Sequence, residues 1–189
     1  MKLVILDRDG TINADSDEYI KSPEEWQPLP GALEAIARLN HAGWHAVIAS
    51  NQSGLGRGLF DVASLNAMHA KMHKMLSAQG GRIDAVFYCP HTPDEGCRCR
   101  KPQPGLFEQI AERFGVDLKG VPVVGDGLRD LQAGSAAGCE PHLVLTGKGA
   151  ALKGLPLPPE YPAGTRTHED LAAFADWLIT TRHGGAKPA

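Results

Sequence analysis

The chain alternates between short aliphatic runs and longer stretches whose apolar residues recur every three or four positions. The first run, Leu3-Val4-Ile5-Leu6, is too short for a helix and too apolar for a turn, so it predicts a buried strand. Residues 44–49, 83–88, 121–124 and 142–145 predict four more. Helical spacing fills the gaps between them. Leu33, Ile36 and Leu39 share a face of a helix opened by Pro30-Gly31 and closed near Gly43. Asp61 is placed to cap a helix striped by Leu65, Met68, Met72 and Met75 or Leu76, ending at Gly80-Gly81. Leu106, Phe107, Ile110 and Phe114 line the next, and an alanine-rich helix ends at Gly138. Leu171, Phe174, Trp177 and Leu178 mark a last helix, with Thr167 as its predicted cap. Strand–helix alternation of this kind predicts a three-layer, Rossmann-like α/β fold around a parallel sheet. One domain is expected over residues 1–182, with 183–189 as a flexible tail and 147–164, rich in proline, as a loop.

Polar residues break this pattern at the strand ends. Asp7 and Asp9 follow the first strand, Ser50-Asn51-Gln52-Ser53-Gly54 the second, and Asp126 and Asp130 the fourth. Arg100-Lys101 precede the third large helix. Ligands of open parallel sheets bind at the carboxyl ends of the strands, so these segments are expected to share one rim. Carboxylates gathered there are costly without a cation, which calls for a metal ion or basic partners. A plain Asp-Gly turn would explain Asp9-Gly10 alone; it does not explain polar ends on successive strands. The stretch from Asp15 to Glu25, with Tyr19, is expected to loop over this rim.

Cysteine spacing adds a second chemistry. Cys89-x-His91, five residues, then Cys97-x-Cys99 offers one imidazole and three thiolates. That set suits tetrahedral Zn²⁺ with no position left open, hence a structural site. Only four apolar residues separate Lys2 from Asp7, too few for an export signal, so reduced thiols and metal are expected over disulfides. Arg100-Lys101 start at the last of these ligands, so the metal would also fix the two cations. Cys139 is expected to be a small buried residue. His69 and His73 stand four apart on a helix but lack an H-E-x-x-H pattern, and are taken as surface or packing residues.

The net charge of −3 and the lack of a basic-aromatic stripe argue against a nucleic-acid or membrane partner. They weigh against a zinc-ribbon nucleic-acid module. No apolar run approaches a membrane span, so a cytoplasmic protein is expected; an open site and the lack of an obvious sticky face point to a monomer.

Taken together, Asp7-Arg8-Asp9-Gly10-Thr11, Ser50-Asn51, Lys101 and Gly125-Asp126 resemble the haloacid dehalogenase superfamily of phosphohydrolases. The cysteine loop narrows the likeness to its capless branch of heptose bisphosphate and histidinol-phosphate phosphatases. The resemblance implies Mg²⁺ held by Asp7, Asp126 and the backbone carbonyl of Asp9. It implies Asp7 as nucleophile, forming an aspartyl-phosphate, and Asp9 as general acid and base. Ser50, with backbone amides at Asn51 and Gln52, would hold the phosphoryl group, and Lys101 would supply positive charge. Asn51, Gln52, Ser53, Arg100, Asp15 and Tyr19 would border the substrate, with Arg100, or less directly Arg57, facing a second phosphate. Asp130 would hold metal-bound water, brace its loop or serve its helix N-terminus. The implied reaction is removal of the C7 phosphate from a heptose 1,7-bisphosphate, in nucleotide-activated heptose and lipopolysaccharide core synthesis; histidinol phosphate is the alternative substrate. A non-enzymatic phospho-acceptor would not need an acid at position 9. Gly127 departs from relatives that carry Lys there, and residues 15–19 do not align cleanly with the branch's substrate loop.

Overall fold

The computed structural model describes residues 1–182 and contains six strands. These are β1 (Leu3–Leu6), β2 (His45–Asn51), β3 (Ala85–Cys89), β4 (Pro122–Gly125), β5 (Glu140–Val144) and β6 (Arg166–His168). They form one sheet in the order β3-β2-β1-β4-β5-β6, with every neighbouring pair parallel. From β1 the chain winds outward in both directions. The crevice beside the carboxyl end of β1 is therefore the switch point at which such sheets bind ligands.

Period-two alternation builds the layers. Val4, Leu6, Ala46 and Ile48 point to one face and meet α1 (Ala32–His41), α3 (Val62–Ala78) and α6 (Leu171–Arg182). Leu3, Ile5, Val47 and Ala49 point to the other and meet α4 (Gly105–Phe114) and α5 (Leu128–Ala136). The three-layer α/β reading stands. Asp61 caps α3 as its sequence predicts, its side chain accepting from the Ser64 amide at 2.8 Å. Between Ser50 and Lys101 the chain supplies a single helical turn α2 (Ser53–Gly56), α3, β3 and the cysteine loop, with no independent cap.

Two expectations change. Thr167 does not cap α6; it lies in β6, paired with Leu143, and Asp170 accepts from the Ala173 amide at 2.8 Å. β6 is three residues long with none fully buried, so no aliphatic run announces it. β2 also outlasts its apolar run, because Ser50 pairs with Tyr88 and Asn51 with Cys89. Ladder pairing, not hydrophobicity, carries the strand to its polar end. The 15–25 loop is not a free excursion. Trp26 is fully buried below it, and Lys71 Nζ donates to the carbonyls of Pro23 and Trp26, both at 2.7 Å. The tail expected at 183–189 lies outside the described residues.

Candidate active site at the carboxyl edge of the sheet

Asp7 leaves β1 with its amide donating to the Val124 carbonyl at 2.9 Å, which sets it beside the end of β4. Asp126 leaves β4 next to it. Asp130 stands in the first turn of α5, its Oδ2 accepting from the Gly127 amide at 3.1 Å. Carboxylate oxygens of Asp7, Asp126 and Asp130 lie within 4.8 Å of one another. Gly10 adopts φ +83°, and a side chain there would run into the Asp126 carboxylate. The Asp-Gly pair thus has a steric reason as well as a turn reason.

Lys101 faces this cluster while only 2% exposed. Its Nζ contacts Asp130 Oδ1 at 2.6 Å, Asp7 Oδ1 at 2.9 Å and the Ala49 carbonyl at 2.7 Å. Burial alone would strip its proton; Asp130 and Asp7 outweigh that and raise its pKa. One ammonium does not neutralise three carboxylates. Burial and repulsion from Asp130 hold the Asp7 carboxyl well above its usual range and push Asp126 up to about 7. Adding one divalent cation to Lys101 would balance the three charges, and oxygen donors suit a hard ion such as Mg²⁺. The residues present therefore fit the metal that the motif implies. Lys101 is held by Asn51, whose Oδ1 accepts from the Lys101 amide at 2.9 Å and whose Nδ2 donates to its carbonyl at 3.1 Å.

Asp9 sits apart from the three-carboxylate cluster. Its Oδ1 accepts from Arg8 Nε and Asn13 Nδ2, each at 2.9 Å, and its Oδ2 meets Gln52 Nε2 at 3.3 Å. The Gln52 amide also donates to Ser50 Oγ at 2.8 Å. The backbone amide of Gln52 is engaged by the Cys89 carbonyl at 2.8 Å, so this residue enters the site through its side chain instead of the expected phosphate-binding amide. Likewise the side chain of Asn51 is taken up in clamping Lys101.

Ser53 is buried in the first turn of α2. Asp15 is exposed at the surface yet feels the site: partial desolvation of its carboxyl by surrounding protein, with the charge of Asp9, raises its pKa against the Ser16 amide. Tyr19 holds a left-handed φ of 68° and stacks against Arg57, whose Cζ is 5.9 Å from the ring centroid. Arg100 has a buried Nη1 without a hydrogen-bond partner.

At the cysteine loop, Cys89 Sγ lies 3.4 Å from His91 Nδ1 and 3.6 Å from Cys97 Sγ, and His91 Nδ1 lies 3.2 Å from Cys99 Sγ. All four ligand atoms fall within 4.8 Å of one another. Tetrahedral Zn²⁺ with bonds of about 2.0–2.3 Å sets its ligand atoms roughly 3.5 Å apart, so the geometry fits. Burial works against the Cys97 thiolate, but the Arg100 amide and the neighbouring cysteines bring its pKa down to about 7. The amide contact couples the loop to the cations that follow it.

Sequence reasoning passed over Arg8, Asn13 and the Thr146–Lys148 turn. Thr146 Oγ1 donates to the Gly10 carbonyl at 2.6 Å, and the Lys148 amide donates to Asp126 Oδ2 at 2.9 Å. No motif flags a backbone amide. Arg8 was legible: set between two acids that share a rim, it has to point away from them or pair with one.

This rim, with acids after β1 and β4 and a lysine between them, defines a haloacid dehalogenase-type hydrolase. The family model described as "HAD-hyrolase-like" matches residues 98–172. The chain is 60% identical to D-glycero-beta-D-manno-heptose-1,7-bisphosphate 7-phosphatase of Bordetella bronchiseptica, over 95% of this chain and 98% of the relative. Its counterpart in Pseudomonas aeruginosa is 53% identical, over 94% and 97%. The crystal structure of the Bordetella bronchiseptica D,D-heptose 1,7-bisphosphate phosphatase, complexed with magnesium and phosphate, superposes with a TM-score of 0.89 at 59% identity, covering 96% of this chain and 99% of that one. The chain belongs to the D-glycero-beta-D-manno-heptose-1,7-bisphosphate 7-phosphatase family.

Proposed function

We propose that the protein hydrolyses the C7 phosphate of D-glycero-D-manno-heptose 1,7-bisphosphate with Mg²⁺ as cofactor. The observation that carries this reading is the Asp7–Asp126–Asp130 cluster with its single buried counter-ion, Lys101. Bound Mg²⁺, held by Asp7, Asp126 and the Asp9 carbonyl, would cancel the repulsion between a carboxylate and a phosphate dianion. Asp7 attacks phosphorus and forms an aspartyl-phosphate while Asp9 protonates the departing C7 oxygen. Asp9 then takes a proton from the hydrolytic water. Ser50 and the Asn51 amide face the phosphoryl oxygens, and Lys101 draws negative charge off them. Asp130 holds Lys101 and the Asp126–Gly127 turn, the bracing role among those the sequence allows. Arg100 offers its unpartnered Nη1 to the second phosphate, with Ser53, Asp15 and Tyr19 along the same border.

The cysteine loop takes structural Zn²⁺ in this reading. Residues 1–182 act as one capless domain with an open site, and the protein works as a monomer in the cytoplasm. Among the described residues no helix is long and apolar enough to cross a membrane. Histidinol phosphate as the substrate finds no support in the relatives named above. A comparison of kcat/KM for the heptose bisphosphate and histidinol phosphate, with added Mg²⁺, tests the reading. A preference for the bisphosphate of at least about tenfold, near 1.4 kcal/mol in transition-state binding, is expected. The reverse preference overturns the substrate.

A further inference from the structure

Arg8 is fully buried, at 0% exposure, and lies between the two acids of the nucleophile turn. A buried guanidinium needs acceptors, since all its polar hydrogens are donors. Arg8 Nε donates to Asp9 Oδ1 at 2.9 Å, and Nη2 stands at ion-pair distance, 2.9 Å, from the same oxygen. Its third contact comes from a different layer. Nη1 meets His69 Nε2 at 3.1 Å, on the buried face of α3. A guanidinium has no lone pair, so His69 Nε2 accepts and its imidazole is neutral. Burial and the Arg8 charge agree, taking His69 down to about 4. His69 is therefore more than a packing histidine.

The consequence falls on Asp9. Arg8 and Asn13 occupy Oδ1, which leaves Oδ2 with one long contact to Gln52 at 3.3 Å. We infer that His69 is a positioning residue: through Arg8 it locks the Asp9 carboxyl with Oδ1 saturated, so that Oδ2 carries the transferred proton. This rests on the acid–base role given to Asp9 above. In the first step an Asp7 oxygen bonds to phosphorus and the bond from phosphorus to the sugar oxygen breaks. The electron pair goes to that oxygen, which takes the proton from Asp9 Oδ2. Water then attacks phosphorus and gives a proton to the same oxygen of Asp9, while the bond from phosphorus to the Asp7 oxygen breaks, its electron pair returns to the Asp7 carboxylate and inorganic phosphate leaves. A carboxyl free to rotate would present either oxygen, and its acid catalysis would weaken.

Leaving-group dependence separates positioning from simple structural damage. The value of kcat/KM reports steps up to departure of the leaving group. An alkoxide needs the proton of Asp9; p-nitrophenolate leaves without it. His69→Leu removes the acceptor from Arg8 and is expected to lower kcat/KM on the heptose bisphosphate by ~10–100-fold, a fraction of what general acid catalysis supplies. On p-nitrophenyl phosphate the expected loss is within about threefold, less than half the tenfold step worth 1.4 kcal/mol. His69→Gln keeps an acceptor on this helix face and should recover most of the lost ratio. Arg8→Lys, which cannot span both partners, should lose it, and serves the same test if His69→Leu does not fold. Asp9→Asn is the control for the parent reading. If it leaves the alkyl-to-aryl ratio unchanged, the acid role of Asp9 fails. If it shifts the ratio while His69→Leu and Arg8→Lys lower both substrates equally, the positioning role alone is overturned.

Discussion

Magnesium should stabilise this protein more at pH 7 than at pH 5, and the size of the difference follows from the site. Without metal, burial and mutual repulsion hold Asp7 well above the ordinary 3.8 and push Asp126 to about 7. A carboxyl raised in the folded state contributes stability that is complete below its unfolded pKa and is lost as pH rises through the folded one. For Asp126 that window runs from about pH 4 to about pH 7. A divalent cation replaces the proton and restores what was lost. Between pH 5 and pH 7 each unit adds up to about 1.4 kcal/mol per displaced proton, flattening as Asp126 half-ionises near 7, so Asp126 alone contributes roughly 2.3 kcal/mol. A chain of this size shifts its Tm by about 2–4 °C per kcal/mol, so the Tm gain on saturating Mg²⁺ should grow by about 5–9 °C over that range.

A single pH curve would hide the effect. His69, His142 and His168 are depressed to about 4, 3 and 4, chiefly by burial. Their stability is complete above about pH 6.5 and falls as pH drops, opposite in sense to the carboxylates. Subtracting the melting curves with and without Mg²⁺ cancels them, because both states hold the same histidines. Dialysis instead of a chelator leaves any zinc in place. Carboxylates of ordinary pKa are fully ionised by pH 5 and would give a flat Mg²⁺ increment. A difference constant within about 1 °C, below the shift from one kcal/mol, would refute the crowded-carboxylate account.

Further outcomes follow from neighbouring contacts. Asp7→Asn should lose activity by about 10³-fold or more while melting no lower without metal, since one of three repelling charges is gone; residual turnover near that of the unaltered protein would remove Asp7 as nucleophile. Gly147→Ala should raise the Mg²⁺ concentration for half-maximal activity by roughly tenfold, because φ is +51° and the new Cβ presses on the Asp126 carboxylate and on Gly10. An unchanged metal requirement would show that the turn yields freely. Cys97→Ser should release zinc, lower stability by roughly 2–4 kcal/mol and raise KM; unchanged melting and KM would separate the loop from the site.

The layers and most element positions were legible because helices and central strands carry strong periodicity. Leu33, Ile36 and Leu39 are all buried, as their spacing requires. What escaped the pattern depends on pairing across the chain. β6 exists because His142 pairs with Arg166 and Val144 with His168, and its own residues show no aliphatic run. The site followed the same division. Asp7, Lys101 and Asp126 are side chains at strand or loop ends, so motif and topology together bring them into one place. The amide of Lys148 on Asp126 and that of Gln52 on the Cys89 carbonyl have no side-chain identity to read. Asn51 was legible as a site residue but not as a clamp, because its partner is the backbone of a residue fifty positions on.

That clamp is where the cysteine loop would bear on chemistry it does not perform. A buried lysine among carboxylates could settle on any of them, and its long side chain costs entropy to fix. Here its backbone is held twice by Asn51, at the end of β2, while Cys89 ends β3 in register with that same Asn51. The loop from Cys89 to Cys99 therefore starts and finishes beside the Asn51 clamp. Closing it on a metal would shorten the free path between β3 and Lys101 to the ligand cage itself. The ammonium then meets Asp7 and Asp130 from a fixed root, leaving the remaining carboxylate charge for a divalent cation. In the proposed reading, a metal held by Cys89, His91, Cys97 and Cys99 would act on catalysis through where Lys101 is anchored, and loosening those ligands should affect substrate and magnesium binding together.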